Sequence, residues 1–238
     1  MNDSSHATPT LIRFQDRAAL DSRLCSEIAA RLRAALASRD QASLVVSGGR
    51  TPIGLFEALS REALDWSRVI VTLADERWVA PESDASNERL VRAHLLQNNA
   101  SAARFIALKT PAADAGAGET ACRQRLSELP PRLDVVILGM GEDGHSASFF
   151  PGAEALGRAL DPQSTLDCVA LTPPSAPHPR MTLTLARLLR SEQIYLHLCG
   201  EAKLPVLERA LQPGAVEALP VRALLRQRQA PLAIYWAP

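Results

Sequence analysis

A histidine and an aspartate lie two residues apart in a glycine-rich segment that could carry out acid–base chemistry. Asp143 and His145 belong to the segment 139–152, which directly follows an apolar run. Histidine can take a proton from water near neutral pH, and a neighbouring carboxylate can fix its tautomer or stabilise the imidazolium. We therefore predict a general base at His145 supported by Asp143. The alternative is a histidine that only caps a helix.

The glycines of this segment also fit the spacing G-x-G-x-x-G of a dinucleotide-binding turn. That motif needs a sustained helix after the glycines and an acidic residue about 20 positions on, at the end of the next strand. Pro151 and Gly152 interrupt such a helix, and Asp167 precedes its strand instead of closing it. We therefore expect no nicotinamide cofactor, and no other cofactor either.

A second candidate is the turn after the predicted strand 44–47, which consists of Gly48, Gly49, Arg50 and Thr51. Two glycines allow a ligand to approach the backbone, and the free N–H groups of a new helix favour an anion. Thr51 is expected to be the N-cap of that helix, with Pro52 in its first turn. The turn predicts a phosphate or sugar site; the alternative is a tight strand-to-helix connection with an ordinary cap.

Three consecutive charged residues end the predicted strand 69–74. On extended backbone Asp75 and Arg77 point to one face, and Glu76 points to the other. Asp75 and Arg77 could together hold a sugar hydroxyl or a phosphate while keeping the site near neutral. The alternative is a solvated strand end with a surface ion pair.

Two further cations follow predicted turns or strands. Arg180 leaves a proline-rich loop, and Lys203 opens a helix just after the strand 193–199. A cation in the first turn opposes the helix dipole, and a bound anion would remove that conflict. We therefore predict that Lys203 binds an anion; the alternative is a lysine that extends into solvent.

The elements that must position these groups alternate between strands and helices. The predicted strands are 44–47, 69–74, 133–139, 168–171, 193–199 and 232–236, and the predicted helices are 16–38, 52–64, 87–97, 119–129, 186–190 and 201–211. Ser86 is the expected N-cap of the third helix, and 112–118 is expected to be a loop. The alternation predicts an α/β fold with a mainly parallel sheet and helices on both faces. We expect one domain over 11–238 after a polar tail, 1–10.

Composition narrows the function further. The chain has 26 basic and 26 acidic residues among 238, which gives no support for binding nucleic acid or an anionic membrane. Its four cysteines are widely spread, so we expect reduced thiols, and no cluster has the spacing of metal ligands. Without a visible signal peptide we expect a cytoplasmic protein, as a monomer or homodimer.

Together these motifs resemble the 6-phosphogluconolactonase family. The matching segments occur in order along most of the chain: S-G-G-R-T-P at 47–52, D-E-R-W-V at 75–79, S-N at 86–87, L-G-M-G-E-D-G-H-S-A-S-F-F-P-G at 138–152, R-M-T-L-T at 180–184 and G-E-A-K at 200–203. The resemblance implies a modified Rossmann-like sheet without a nucleotide. It also implies an enzyme of the pentose phosphate pathway that opens a phosphorylated δ-lactone to 6-phosphogluconate.

The resemblance assigns roles to individual residues as well. His145 is implied as the base that activates water, and Asp143 as its support. The substrate-binding residues implied are Gly48, Gly49, Arg50, Thr51, Asp75, Arg77, Asn87, Arg180 and Lys203, although the family often has serine at the position of Arg50. Two other functions remain open: a glucosamine-6-phosphate deaminase, and a non-catalytic sugar-phosphate sensor. The segment 148–151 lacks the further carboxylate typical of the deaminase, and no DNA-binding extension precedes Leu11.

Overall fold

The computed structural model describes residues 9–238, and a seven-stranded parallel sheet forms its centre. The strands are β1 (Thr10–Arg13), β2 (Ala42–Val46), β3 (Val69–Leu73), β4 (Asp75–Arg77), β5 (Arg104–Ile106), β6 (Leu133–Leu138), β7 (Cys168–Leu171), β8 (Arg180–Leu183), β9 (Ser191–Cys199) and β10 (Leu232–Ala237). The order in the main sheet is β1, β10, β9, β6, β2, β3 and β5. Every residue of β2, β3 and β6 is buried, which explains their nearly continuous apolar sequences.

Helices connect and cover these strands. They are α1 (Arg17–Ser38), α2 (Ile53–Ser60), α3 (Asn87–His94), α4 (Ala115–Leu126), α5 (Leu156–Leu160), α6 (Leu185–Leu189), α7 (Lys203–Leu211) and α8 (Val221–Arg226). α1 shows how the sequence specifies them. Asp16 accepts a hydrogen bond from the Ala19 amide at 2.8 Å and so caps the helix. Leu20, Leu24 and Ile28, spaced four apart, are fully buried against the sheet side of the core.

The chain reverses its direction across the sheet between β2 and β6. From β2 it adds β3 and β5 toward one edge, then returns to β6 on the other side of β2 and continues through β9 and β10. The loops that follow β2 and β6 therefore diverge and open a crevice at the carboxyl ends of the strands. Side chains join the two strands below it: Ser43 Oγ donates to Asp134 at 2.9 Å, and Ser47 Oγ donates to the Ile137 carbonyl at 3.1 Å.

A second, antiparallel sheet of β4, β8 and β7 continues from the end of β3. The Leu183 amide donates to the Ala74 carbonyl at 2.8 Å, which attaches this sheet to the main one. Its register places Arg77 opposite Arg180, and Asp75 opposite Thr182. Residues far apart in sequence are thereby brought to one side of the crevice.

The mainly parallel α/β class predicted from the sequence is confirmed, and the predicted strands and helices all exist, with shifted ends except for the strand 168–171. The structure adds β1, β4, β5, β8, α5 and α8, which are too short to give a clear periodic pattern. The strand 168–171 lies in the antiparallel sheet and not in the main one. The predicted loop 112–118 is wrong in its second half, because Asp114 caps α4 by accepting from the Ala117 amide at 2.8 Å. Of the predicted tail, residues 1–8 lie outside the described residues, and Thr10 already begins β1.

Candidate active site

A cavity of about 330 Å³ opens at the carboxyl ends of β2, β6 and β9. Most of the site residues predicted from the sequence line it, namely Gly48, Gly49, Thr51, Asp75, Arg77, Asn87, His145, Arg180 and Lys203. Asp143 lies behind His145, and Arg50 is exposed outside the lining. The crevice at the chain reversal is thus where the structure gathers the predicted polar groups.

His145 lies on an irregular loop between β6 and α5. The Gly141 amide donates to the His145 carbonyl at 2.8 Å, and Ser146 Oγ donates to the Gly139 carbonyl at 2.8 Å. A β-carbon at position 141 would overlap with the imidazole, so this close packing requires glycine. Ala147 has a φ of +48°, a left-handed conformation that costs about 1 kcal/mol or more. Since the next helix begins only at residue 156, the alternative in which His145 caps a helix is wrong.

The imidazole of His145 and the carboxylate of Asp143 are in direct contact. Nδ1 of His145 lies 2.5 Å from Oδ1 of Asp143, and the His145 amide donates to the same oxygen at 3.1 Å. Burial alone would raise the pKa of Asp143, but the hydrogen bond and charge of His145 outweigh it and lower that pKa. An ionised Asp143 accepts a proton shared from Nδ1, which leaves Nε2 as the nitrogen free to act on a substrate. The His145 side chain is 31% exposed, so water can reach it.

Glu76 lies behind one wall of the cavity, to which Arg77 and Asn87 belong, and its hydrogen bonds hold that wall in place. Its carboxylate accepts hydrogen bonds from the amides of Arg77 (2.7 Å), Asn87 (2.8 Å) and Glu88 (2.7 Å), and from Ser86 Oγ (3.1 Å). Burial raises the pKa of Glu76, and the hydrogen bonds offset this only in part. Two of the donors are first-turn amides of α3, which have no partner within the helix, so Glu76 anchors that helix. Ser86 is the N-cap of α3, as predicted.

Asp75 joins three segments inside this wall. Its Oδ2 accepts a hydrogen bond from Ser148 Oγ at 2.5 Å and lies 3.9 Å from Nη1 of Arg180, and its carbonyl accepts from Asn87 Nδ2 at 2.8 Å. Asp75 and Arg180 are each only 6% exposed, so the alternative of a solvated strand end is wrong. Burial lowers the pKa of Arg180, and the charge of Asp75 partly offsets this. Arg77 is fixed beside them, since its Nη1 donates to the Ala85 carbonyl at 2.6 Å.

The turn after β2 forms the floor of the cavity. A β-carbon at position 48 would overlap with the Asn87 side chain, so only glycine allows this turn to approach α3. The prediction that Thr51 caps the next helix is wrong: Pro52 is the N-cap residue of α2, no side chain caps it, and Thr51 lines the cavity instead. Proline can take this position because the lost N–H would have no partner within the helix.

Lys203 lies in the first turn of α7, as predicted, and is its first residue; it is partly buried in the cavity lining. The turn before it depends on Gly200, whose φ of +102° is unfavourable for other residues. Lys203 therefore brings its positive charge and the start of α7 to the cavity together, which suits an anionic ligand.

Buried polar atoms without a hydrogen-bond partner concentrate at this cavity. Of the seven such side-chain atoms in residues 9–238, four belong to residues of the lining, namely Arg77 Nε, Asn87 Oδ1, Arg180 Nε and His197 Nδ1. A buried donor or acceptor left unpaired costs about 1–3 kcal/mol. Their concentration here marks a surface shaped for a polar ligand rather than for stability alone.

His197 and Phe150 are among the lining residues that the sequence did not single out. His197 is 2% exposed in the middle of a buried strand, where its Nε2 lies 3.2 Å from Oδ1 of Asp21, and its sequence context indicated a core or surface role. Phe150 is 4% exposed and was part of the segment 138–152 that carries the family resemblance, without a role of its own. Of the other histidines, His94 contacts Glu57 at 3.0 Å, His178 is exposed, and His6 lies outside the described residues.

The cysteines, the possible metal ligands and the helix lengths of the described residues bear on three other kinds of site. All four cysteines are free and buried, as expected of structural thiols. In residues 9–238 no three His, Cys, Asp or Glu side chains are grouped in a way that would hold a metal ion. Over the same residues no helix is both long and apolar enough to cross a membrane.

An α/β sheet with a His–Asp pair and several cations around one crevice defines an enzyme site for a small anionic substrate. The family model for glucosamine-6-phosphate isomerases/6-phosphogluconolactonase matches residues 15–236. A 6-phosphogluconolactonase of Pseudomonas aeruginosa is 51% identical over 90% of this chain and 89% of its own length, and one of Rhizobium meliloti is 46% identical over 94% and 97%. The chain belongs to this family of glucosamine-6-phosphate isomerases and 6-phosphogluconolactonases.

Solved structures agree with this assignment. The crystal structure of a 6-phosphogluconolactonase from Shewanella baltica has a TM-score of 0.94 and 49% identity, covering 97% of this chain and 98% of the other. A monomeric glucosamine-6-phosphate deaminase has a TM-score of 0.77 at 19% identity over 95% and 97% of the two chains, which shows a shared fold alone.

Proposed function

We propose that the protein hydrolyses 6-phospho-D-glucono-1,5-lactone to 6-phosphogluconate. The relatives that bear the name 6-phosphogluconolactonase cover nearly the whole chain. The observation that supports the proposal most is the His145–Asp143 contact, because an imidazole held by a carboxylate, on a cavity that Lys203 and Arg180 also line, is suited to act as a base. A base and cations around one cavity suit water attack on a phosphorylated ester.

The reaction begins with water held beside Nε2 of His145. As the water oxygen attacks the lactone carbonyl carbon, Nε2 takes its proton, and Asp143 stabilises the resulting imidazolium through Nδ1. The tetrahedral intermediate collapses by breaking the bond from the carbonyl carbon to the ring oxygen. The imidazolium returns its proton to that oxygen, which becomes the hydroxyl of the open acid. Asp143 is suited to its part because its lowered pKa keeps it ionised at neutral pH.

The cations and the turn after β2 serve binding. Lys203, at the start of α7, and the backbone from Gly48 to Thr51 bind the phosphate. Arg180 stabilises the negative charge that develops on the carbonyl oxygen, since it is buried in the lining of the same cavity as His145 and its Nε has no protein partner among residues 9–238. Asp75, Arg77 and Asn87 orient the sugar hydroxyls and the substrate as a whole.

A coupled assay on purified protein tests this function. The lactone and glucosamine 6-phosphate are offered separately, and release of 6-phosphogluconate or of ammonia is followed. We expect hydrolysis of the lactone only, with activity that survives exhaustive chelation and needs no added cofactor. Ammonia release, or activity lost in chelator and restored by a divalent ion, would show that the site has been misassigned.

The remaining aspects of the proposal follow from this activity. A cytoplasmic location fits an enzyme whose phosphorylated substrate is charged and made inside the cell. One chain supplies the base, its carboxylate and the cations, so a monomer suffices for catalysis, and a homodimer is compatible with it. We propose no cofactor and no nucleic-acid or membrane partner.

A further inference from the structure

The ring of Phe150 lies against both the base and a cation of the site. Its centroid is 4.1 Å from the centroid of the His145 imidazole, with 21° between the planes, so the two rings are stacked. The guanidinium carbon of Arg180 lies 5.4 Å from the same Phe150 centroid, within cation–π distance. One apolar side chain thus contacts both His145 and Arg180.

The loop fixes this ring tightly. Ser146 and Ser148, on either side of the left-handed Ala147, are tied by hydrogen bonds to Gly139 (2.8 Å) and Asp75 (2.5 Å). Directly after them Phe149 is fully buried in the core, whereas Phe150 lines the cavity. The two neighbouring phenylalanines therefore have different surroundings, and only Phe150 is stacked on the imidazole.

We infer that Phe150 is a positioning residue for the general base: its ring face fixes the plane of the His145 imidazole and stabilises the imidazolium formed during hydrolysis. The inference rests on the proposed function, because it needs His145 to accept a proton. Asp143 holds one edge of the imidazole through Nδ1, but a single hydrogen bond still allows the ring to rotate about that contact. The stacked ring removes this rotation, so that Nε2 keeps its direction toward the substrate.

The effect belongs to the transition state. An aromatic face attracts a cation much more than a neutral ring, and His145 becomes cationic only as water loses its proton. Interactions that strengthen in the transition state raise kcat, whereas those equal in both states change KM. Loss of the aromatic face should therefore lower kcat about 3- to 30-fold and leave KM nearly unchanged.

The experiment compares Phe150→Leu with the matched control Phe149→Leu. Both changes remove one ring from the same loop, but only the first removes the stack. We expect Phe150→Leu to lower kcat as stated and to shift the acid limb of the kcat profile to lower pH by about half a unit, because the imidazolium loses a stabilising partner. Phe150→Tyr, which keeps the aromatic face, should restore both values. Phe149→Leu should lower the melting temperature and leave the acid limb in place.

The outcomes separate this inference from the proposed function. If His145→Ala is inactive while Phe150→Leu has wild-type kcat and the wild-type acid limb, Phe150 has no positioning role and the base assignment stands. A loss confined to KM, or an equal loss of kcat in Phe149→Leu, would likewise overturn the inference. If leucine at 150 prevents folding, Phe150→Met is used instead, since its flexible side chain fills the space without an aromatic face. If His145→Ala is active, the proposed mechanism fails first.

Discussion

The side chain of His145 and the wall built by β4, β8 and α3 are held by contacts of different range. His145 is held by Asp143, two residues away, and both side chains are about one-third exposed. In the wall, Glu76 accepts a hydrogen bond from the amide of Glu88 across 12 residues, and the buried bond from Ser148 to Asp75, across 73 residues, joins the wall to the loop. The group proposed for the chemistry thus depends on short-range contacts, whereas the groups proposed for binding depend on buried long-range ones.

This difference implies a separation between activity and stability. The partly exposed side chain of His145 can be changed without leaving a fully buried partner unsatisfied, so its loss should affect catalysis more than stability. A side chain in the buried wall leaves several donors or acceptors unpaired when it is removed, which destabilises the fold. Substitutions in the His145 loop should therefore mainly affect activity, and substitutions in the wall should mainly affect stability.

The largest effect is expected for His145→Ala. Turnover should fall by roughly two to four orders of magnitude, the usual contribution of a positioned general base. The melting temperature should stay close to that of wild type, because the lost side chain is partly exposed and, among residues 9–238, its one polar side-chain partner is the nearby Asp143. Steady-state kinetics and thermal unfolding of the same preparation measure both quantities. Near wild-type turnover would remove His145 from the mechanism. A large loss of stability would show that the His145 side chain contributes to folding as well as to activity.

Glu76→Ala is expected to have the opposite signature. It removes the acceptor of three backbone amides and one hydroxyl, so the free energy of unfolding should fall by about 2–4 kcal/mol. KM should rise as well, because Arg77 and Asn87 lose the anchor that places them on the cavity. Denaturant unfolding measures the first effect.

A matched control for Glu76→Ala lies on the other side of the cavity. Glu142→Ala removes an exposed glutamate from the His145 loop, and its unfolding free energy should change by less than about 0.5 kcal/mol. Equal destabilisation by the two changes would mean that burial and contact range do not distinguish the loop from the wall.

Sequence patterns predicted the loop side much better than the wall. Strand β6, its glycines and the Asp143–His145 spacing are contiguous, so their pattern can be read along the chain. β4 is three charged residues long and becomes a strand only because β8 pairs with it, a partner that no local pattern reveals. The sequence indicated that Glu76 faces away from Asp75 and Arg77 but not that it anchors α3.

Two residues of the cavity lining, Phe150 and His197, were missed for a related reason. Phe150 and the strand residue His197 look like core positions, because their apolar neighbours dominate the local pattern. Which side of a buried residue faces a cavity depends on how the loops diverge above the sheet. The family resemblance supplied the binding residues in the wall, whereas composition and spacing alone left alternatives open for most of them.

Lys203→Ala tests a group that belongs to neither side. The phosphate contact is similar in ground and transition states, so its loss should appear mainly in KM. A charge-assisted hydrogen bond contributes about 1.5–3 kcal/mol, so KM should rise on the order of tenfold to a hundredfold. Rising salt should weaken wild-type binding more than mutant binding, because the mutant has already lost a screened attraction.

The only other lysine of the chain provides the control for this change. Lys109 lies over the ring of Trp78, with Nζ 4.3 Å from the centroid, outside the cavity lining. Lys109→Ala should leave KM and its salt dependence unchanged. If Lys203→Ala has the wild-type KM at two ionic strengths, Lys203 extends into solvent and takes no part in binding.

The smallest effect is expected for Arg50→Ala. Arg50 lies in the turn S-G-G-R-T-P, and the sequence alone does not separate it from Gly48, Gly49 and Thr51. The structure does, since Arg50 is exposed outside the lining while the other three face the cavity. An exposed charge outside the cavity acts on the substrate only through a screened long-range attraction, so KM should change by less than about twofold at physiological salt.

The measurement is KM for Arg50→Ala and for Arg77→Ala at low and physiological ionic strength. Both variants lose one positive charge, so a purely long-range effect would be similar in the two and would fade equally with salt. Arg77 lines the cavity and is held by the Ala85 carbonyl at 2.6 Å, so its loss should raise KM severalfold at both salt concentrations. If Arg50→Ala matched Arg77→Ala at physiological salt, the arginine of the turn would have to reach the substrate. The floor of the cavity would then include a side chain that the structure places outside it.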